Sequence, residues 1–314
     1  MAWLRYSLLL AAGRTASMLC GTLGVCMVRR NWSHRYARLR IRRPRSALLA
    51  SACLVLLVLG LLRTGFRVAA VDRDAALLEA VAASAENGSP LVTLAADLAD
   101  PTAAEAAVAD VRDRWGRIDI LVNNAGIGTE QLRRDHWQNP VRFWEIAPVQ
   151  WARFMAVNGS AAFLMARAVG PGMIAQGWGR VINVTTSLDT MTRGGFAAYG
   201  ASKAATEALT AVMAADLAGT GVTANVLVPG GPADTPMVVE ESGFDRASLL
   251  RPEVMVPPLL WLVSDAADAV TARRFIAARW DPALTATQAA TAASAPVAWL
   301  NLGAQMIIPR KRAG

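Results

Sequence analysis

From Gly65 onward, short β-branched runs alternate with Ala-rich stretches of helical length, and few architectures accommodate that alternation. Arg67-Val-Ala-Ala-Val71 reads as a buried strand ending at Asp72, and Asp74 to about Ser84 as the helix after it. Pro90 to Ala95 is the next strand. Thr102, with Glu105 three residues on, has the form of a capping box opening a helix that stops at Gly116. Ile118 to Val122 is a strand running into Asn123-Asn-Ala-Gly126, and a longer segment leads to a helix through Asn158. Gly179 to Val184 is a strand, Tyr199 to Leu217 a helix, and Val222 to Val228 a strand closed by Pro229-Gly230. Ala283 to Ala295 reads as a loose helix or a C-terminal loop. Strands and helices alternating at this spacing predict parallel βαβ units: an α/β fold, a doubly wound parallel sheet in three α/β/α layers. Ligands of such sheets bind beyond the carboxyl ends of the strands, where the polar and glycine-containing segments of this chain fall.

The formal charge of +8 suggests nucleic acid or membrane until its distribution is read. Met1 to Val71 contains twelve arginines and no Lys, Asp or Glu; the remainder holds 20 basic against 24 acidic residues. The body is mildly acidic, which excludes a basic nucleic-acid surface there. All three cysteines, Cys20, Cys26 and Cys53, lie in the N-terminal stretch without zinc spacing. The two histidines, His34 and His136, form no ligand cluster, so no metal is expected.

Chemistry concentrates at Tyr199-Gly-Ala-Ser-Lys203. Residues four apart share a helix face, so phenol and ammonium can meet in one pocket, where the ammonium is expected to lower the tyrosine pKa. Thirteen residues upstream stands Thr186 at a strand end; further upstream are Asn158 and Asn123-Asn-Ala-Gly126, and downstream Pro229-Gly230. In this order and spacing, these elements resemble the short-chain dehydrogenase/reductase family over about Gly65 to Pro309. The resemblance implies a Rossmann-type fold and a nicotinamide-dependent oxidoreductase acting on a secondary alcohol or ketone. It also implies a homodimer or homotetramer and a cytoplasmic location.

Carried over, the resemblance makes Tyr199 the acid/base on the substrate oxygen. Lys203 binds the nicotinamide ribose, and Asn158 positions the water of a proton relay. Thr186 takes the place of the family's usual serine and hydrogen-bonds the substrate, with Ser187 the neighbouring alternative. Asp72, at the end of the second strand, would hold the adenosine ribose and favour NAD over NADP, unless it merely caps the following helix. Asp97 and Leu98 resemble the pair beside the adenine. Asn124, Ala125 and Gly126 resemble the cofactor-lining stretch, and Pro229, Gly230 and Thr235 the loop over the nicotinamide. Between these motifs lie Trp137, Phe143, Trp144 and Trp151, which suit either a substrate wall or packing.

The family pattern breaks at its beginning. The family opens with a strand and a glycine-rich phosphate loop. Counting back from Gly65 places those glycines at Leu48, Ala52 and Leu54, and none is glycine, although Gly21 and Gly24 lie upstream. The chain shows instead Arg38-Leu-Arg-Ile-Arg-Arg-Pro-Arg45 and an uncharged run from Ser46 to Leu62. Residues 1–62 therefore read as an atypical segment before a catalytic domain at 63–314. That segment is either a membrane-associated helix, with 46–62 the only membrane contact, or sequence from a shifted frame. Ser46 to Leu62 also suits the fold's first helix. The alternative to an enzyme is a catalytically impaired binding or membrane-associated protein that lacks the cofactor loop.

Overall fold

The structure, a computed structural model, describes residues 24–30 and 52–299. His34, the Arg38–Arg45 run and the first residues of the 46–62 stretch lie outside the described residues. In chain order the strands are β1 Val25–Arg29, β2 Arg67–Asp72, β3 Leu91–Ala95, β4 Ile120–Asn123, β5 Gly179–Val184, β6 Val222–Val228, β7 Arg273–Ile276 and β8 Ser294–Pro296. The helices are α1 Ala52–Arg63, α2 Ala75–Ser84, α3 Pro101–Trp115, α4 Pro148–Phe154, α5 Ala161–Ala175, α6 Leu188–Thr192, α7 Ala197–Asp216, α8 Val256–Leu262 and α9 Ala286–Ala293. One eight-stranded sheet has the order β3-β2-β1-β4-β5-β6-β7-β8. It is mostly parallel and flanked by helices, as the alternation predicts.

Two strands depart from the all-parallel expectation. β8 returns antiparallel beside β7. β1 fills the central place between β2 and β4 but runs antiparallel to both, with Val25 opposite Val71 and Asn123, and Arg29 opposite Arg67. Its pleat serves both layers. Cys26 and Val28 face the core formed with α1 and α8, while Val25 and Met27 face the core formed with α3 and α5. Each such side chain, fully buried, contributes about 1.5–3 kcal/mol. The end of the strand is fixed by charge: the Arg30 amide donates to Asp119 Oδ2 at 2.8 Å, and its guanidinium pairs with Asp265. Arg30 and Arg180 both lie over the Trp178 ring, with guanidinium carbons 4.9 and 4.1 Å from its centre.

The division expected after residue 62 falls inside α1. A helix apolar on all sides either meets lipid or is enclosed by protein. Here Cys53 to Leu62 are enclosed, because α1 packs on the sheet with one side and on α8 with another. The crossing is so close that a Cβ on Gly60 would lie 2.6 Å from Val256 Cγ1. The described parts of the N-terminal segment thus belong to the α/β unit, and α1 has no apolar face free for a membrane. No helix among the described residues is long and apolar enough to cross one.

Local chemistry explains the remaining boundaries. Asp74 caps α2, accepting the amides of Ala76 and Leu77 at 3.0 and 3.1 Å. The cap of α3 lies two residues before the expected one: Asp100 accepts from Thr102, and Pro101, with no amide hydrogen to lose, takes the first turn. Gly116 closes that helix at φ 77°. Between α4 and α5 the helix widens to a π-turn at Met155–Ser160, which carries Asn158.

Candidate active site

Strands β2, β4, β5 and β6 end on one edge of the sheet, and the N-terminus of α1 opens onto the same edge. A cavity of about 600 Å³ lies there, lined by Asn124, Gly126, Thr186, Ser187, Tyr199, Lys203, Pro229, Gly230 and Thr235. A separate hollow of about 20 Å³ is lined by Gly24, Asp72, Asp97, Leu98 and Ala125. Every site residue read from the sequence except Asn158 lines one of these two spaces. Asn158 stands directly behind the first.

Helix α7 delivers Tyr199 and Lys203 on one face. Lys203, 4% exposed, donates from Nζ to the Val184 carbonyl at 3.0 Å. Burial pulls its pKa down to about 8. Burial pushes the Tyr199 phenol up to about 12; a hydrogen bond with the Thr186 hydroxyl works against this, and the Glu130 carboxylate adds to it. The expectation that the ammonium would lower the tyrosine pKa is corrected: burial raises it in this fold, and the Lys203 ammonium donates its hydrogen bond to a backbone carbonyl instead.

Asn158 braces the glycine turn. Its Oδ1 accepts from the Ile127 amide at 2.8 Å, and its Nδ2 donates to the Ile127 carbonyl and to Ser202 Oγ, both at 3.0 Å. The side-chain amide is fully used in joining the β4 turn to α7. Asn123 ties the strands themselves, donating to Asn183 Oδ1 at 2.8 Å. Asn124 is different: it is 1% exposed, and neither atom of its amide has a hydrogen-bond partner among the described residues. Of the two candidate hydroxyls after β5, Thr186 reaches the phenol. Ser187 caps α6, accepting from the Thr190 amide at 3.1 Å.

At the smaller hollow, Asp72 is 2% exposed and accepts the Asp74 amide on Oδ1 at 2.9 Å. It does not cap α2, since Asp74 does. Partial burial acts to raise the Asp97 pKa, but the Ala99 amide and Arg153 outweigh it and hold that carboxyl below its ordinary value. Arg153 Nη1 stands 3.1 Å from Asp97 Oδ2. Where the family's glycines were sought, Leu54 is fully buried, and Gly24 takes the tight position. A Cβ on Gly24 would press on the Val71 carbonyl and lie 2.8 Å from Leu54 Cδ2 and 3.0 Å from Asp72 Oδ2.

The cavity has walls that the motifs did not announce. Trp137 meets Phe244 and Phe196 edge-on, at ring separations of 4.9 and 5.2 Å, and Met237 and Glu130 face the same space. Of the four aromatic residues noted between the motifs, only Trp137 lines it. Phe143 and Trp144 are exposed to 72% and 71%, and Trp151 to 42%. His136 packs against Trp137 and Phe196, and burial lowers its pKa. These contacts join segments more than fifty residues apart, and no local pattern signals them.

Comparison with known proteins agrees with this geometry. Residues 56–244 match the family model of the short chain dehydrogenases. A 2-(R)-hydroxypropyl-CoM dehydrogenase of Xanthobacter autotrophicus is 37% identical over 179 residues, covering 56% of this chain and 68% of the relative. A short-chain type dehydrogenase/reductase of Picea abies is 29% identical over 216 residues, covering 65% and 76%. Among solved structures, the 3-ketoacyl-(acyl-carrier-protein) reductase of Brucella melitensis, complexed with NADH, superposes with a TM-score of 0.60. It is 26% identical, with 70% of this chain and 90% of that one covered. With more than half its length matched by the family model and the family's motif residues gathered at one sheet edge, the chain belongs to the short chain dehydrogenases.

Proposed function

We propose that the protein is a nicotinamide-dependent oxidoreductase of secondary alcohols and ketones, with NAD preferred over NADP. The observation that carries this reading is the meeting of Tyr199, Thr186 and Lys203 on one cavity wall at the carboxyl edge of the sheet. The residues there suit a nicotinamide riboside. Gly126 leaves open a space in which a Cβ would lie 3.1 Å from Lys203 Nζ and 3.2 Å from Asn158 Oδ1. The amide of Asn124 faces the same cavity with both atoms unbonded among the described residues. Tyr199 and Lys203 would hold the ribose, Pro229, Gly230 and Thr235 the carboxamide side, and Asp72, with Asp97, Leu98 and Ala125 nearby, the adenosine. Bound there, the cofactor supplies or accepts the hydride.

The chain's own residues handle the proton and the substrate. Thr186 Oγ1 orients the substrate oxygen beside Tyr199 Oη, which gives or takes the proton. Burial pushes the phenol up to about 12, so at neutral pH it is protonated and can donate to the substrate oxygen when a carbonyl is reduced. Trp137, Phe196 and Phe244 offer an aromatic wall, so the substrate carries an apolar or ring-containing group next to the reacting carbon. Buried Asp72 supports NAD, since a carboxylate repels a 2′-phosphate.

The test is a fluorescence titration of the full chain with NADH and NADPH, followed by turnover of Tyr199→Phe. Saturable binding, tighter for NADH, with turnover lost in the folded variant, is the expected outcome. A folded protein that binds neither nucleotide, or a Tyr199→Phe variant that keeps its rate, would overturn the reading.

A further inference from the structure

Behind the cavity wall lies a pair of charges to which the reaction assigns no part. Glu207 is completely buried and Arg274 is 4% exposed. Glu207 stands on α7, four residues beyond Lys203 and eight beyond Tyr199, and so on the same face. Arg274 reaches in from β7. Its Nε donates to Glu207 Oε1 at 2.9 Å, while Nη2 donates to the carbonyl of Thr186 and lies 3.3 Å from Glu207 Oε2. The Thr185 hydroxyl donates to Glu207 Oε2 at 2.7 Å. The Ala298 amide, from the segment after β8, donates to Glu207 Oε1 at 3.1 Å.

These contacts hold the piece of backbone that leaves the sheet. The β5–β6 ladder ends at Val184 opposite Leu227. From Val184 on, each residue meets a charged side chain: Val184 O receives Lys203, Thr185 Oγ1 is held by Glu207, and Thr186 O receives Arg274. We propose that Arg274 and Glu207 are positioning residues, a buried clamp that fixes the Thr185–Thr186 backbone so that the Thr186 hydroxyl meets both the Tyr199 phenol and the substrate oxygen. The clamp rests on the role given to Thr186 above.

The chemistry favours position over stability as its purpose. A buried ion pair costs solvation on both partners, and two apolar side chains of similar volume hold a fold about as well. A planar guanidinium, however, can grip a carboxylate and a carbonyl at fixed angles, which an apolar pair cannot do. A reacting-group error of about 1 Å costs on the order of a hundredfold in rate. The clamp also joins the segment at Ala298 to the active site through a single carboxylate.

The test replaces both partners at once, Arg274→Met with Glu207→Leu, so that no lone charge is left to unfold the chain. Arg274→Lys serves alongside: it keeps the ion pair but lacks the fork that reaches Thr186. Amide hydrogen exchange over residues 184–188 and steady-state kinetics are read on both, with the thermal midpoint as control. Expected is exchange at least about tenfold faster in that segment, kcat about 10–100-fold lower and KM within about threefold, at a midpoint near the parent's. Unchanged exchange, or faster exchange with the parent's kcat, overturns the clamp. A folded parent that binds no nicotinamide nucleotide instead sinks the function assigned above, and with it the role of Thr186 that the clamp serves.

Discussion

Substituting alanine at Gly24 tests the reversed central strand where it is most tightly held. The added Cβ would press on the Val71 carbonyl, stand 2.8 Å from Leu54 Cδ2 and crowd Asp72 Oδ2 at 3.0 Å. The Leu54 side chain is fully buried, and Val71 belongs to the β1–β2 ladder, so neither can retreat cheaply. Overpacking of this kind costs about 1–3 kcal/mol. Taking about 2 kcal/mol, the melting temperature should fall by about 4–8 °C in a domain of this size. Gly172→Ala is the matched control. It lies inside α5 with nothing within 4 Å of its Cβ position, and alanine there should add about 0.5–1 kcal/mol. Thermal unfolding of the two variants beside the parent, followed by far-ultraviolet circular dichroism, reads both effects. If Gly24→Ala melts with the parent while Gly172→Ala shifts upward, the start of β1 is not packed between β2 and α1, and the reasoning fails.

Two further outcomes follow from the site. Burial holds Lys203 at about 8 against an ordinary 10.5, so between those values the unfolded chain keeps a proton that the native fold has released, and stability rises with pH. Lys203→Met should therefore abolish turnover yet stabilise the fold at pH 7 by about 1–2 kcal/mol, with the gain shrinking between pH 8 and 10; a variant less stable than the parent at pH 7 would contradict it. Asp72→Ser should move the NADH-to-NADPH affinity ratio towards NADPH by about tenfold, equivalent to about 1.4 kcal/mol; titrations that give the parent's ratio would remove Asp72 from cofactor selection.

The body of the fold was legible because its signals are local. Strands β2, β3, β5 and β6 lie where β-branched runs bounded by turn residues predicted them, and Gly116 closes α3 as expected. The start of α3 was missed by two residues because Asp100-Pro101 is a stronger opening than Thr102, and a capping-box pattern cannot rank the two. β1 left no such trace. Four successive residues buried on both faces carry no alternation, and their direction is set by distant partners, the β2 and β4 ladders and the Arg30 contacts with Asp119 and Asp265. In the site, the spacing of Tyr199 and Lys203 was readable from helical geometry. The aromatic wall was not, because Trp137, Phe196 and Phe244 meet only through the folded chain. The tyrosine's titration also escaped the sequence: a helical spacing shows that an ammonium is near, but the depth of burial decides which way the phenol shifts.

The antiparallel setting of β1 gives the sheet an unusual seam. Its neighbours β2 and β4 do not pair with each other, so the ladders on either side of β1 are what join the β2–β3 pair to the β4–β8 sheet. Such a strand works as a zipper insert, gripping both margins through backbone hydrogen bonds and four alternating side chains, and its orientation is not dictated by a crossover helix. The same grip is open to strand complementation: a separate peptide with the sequence of residues 24–30 presents every bond that the insert uses, and a chain lacking that segment would offer it an open slot along its middle.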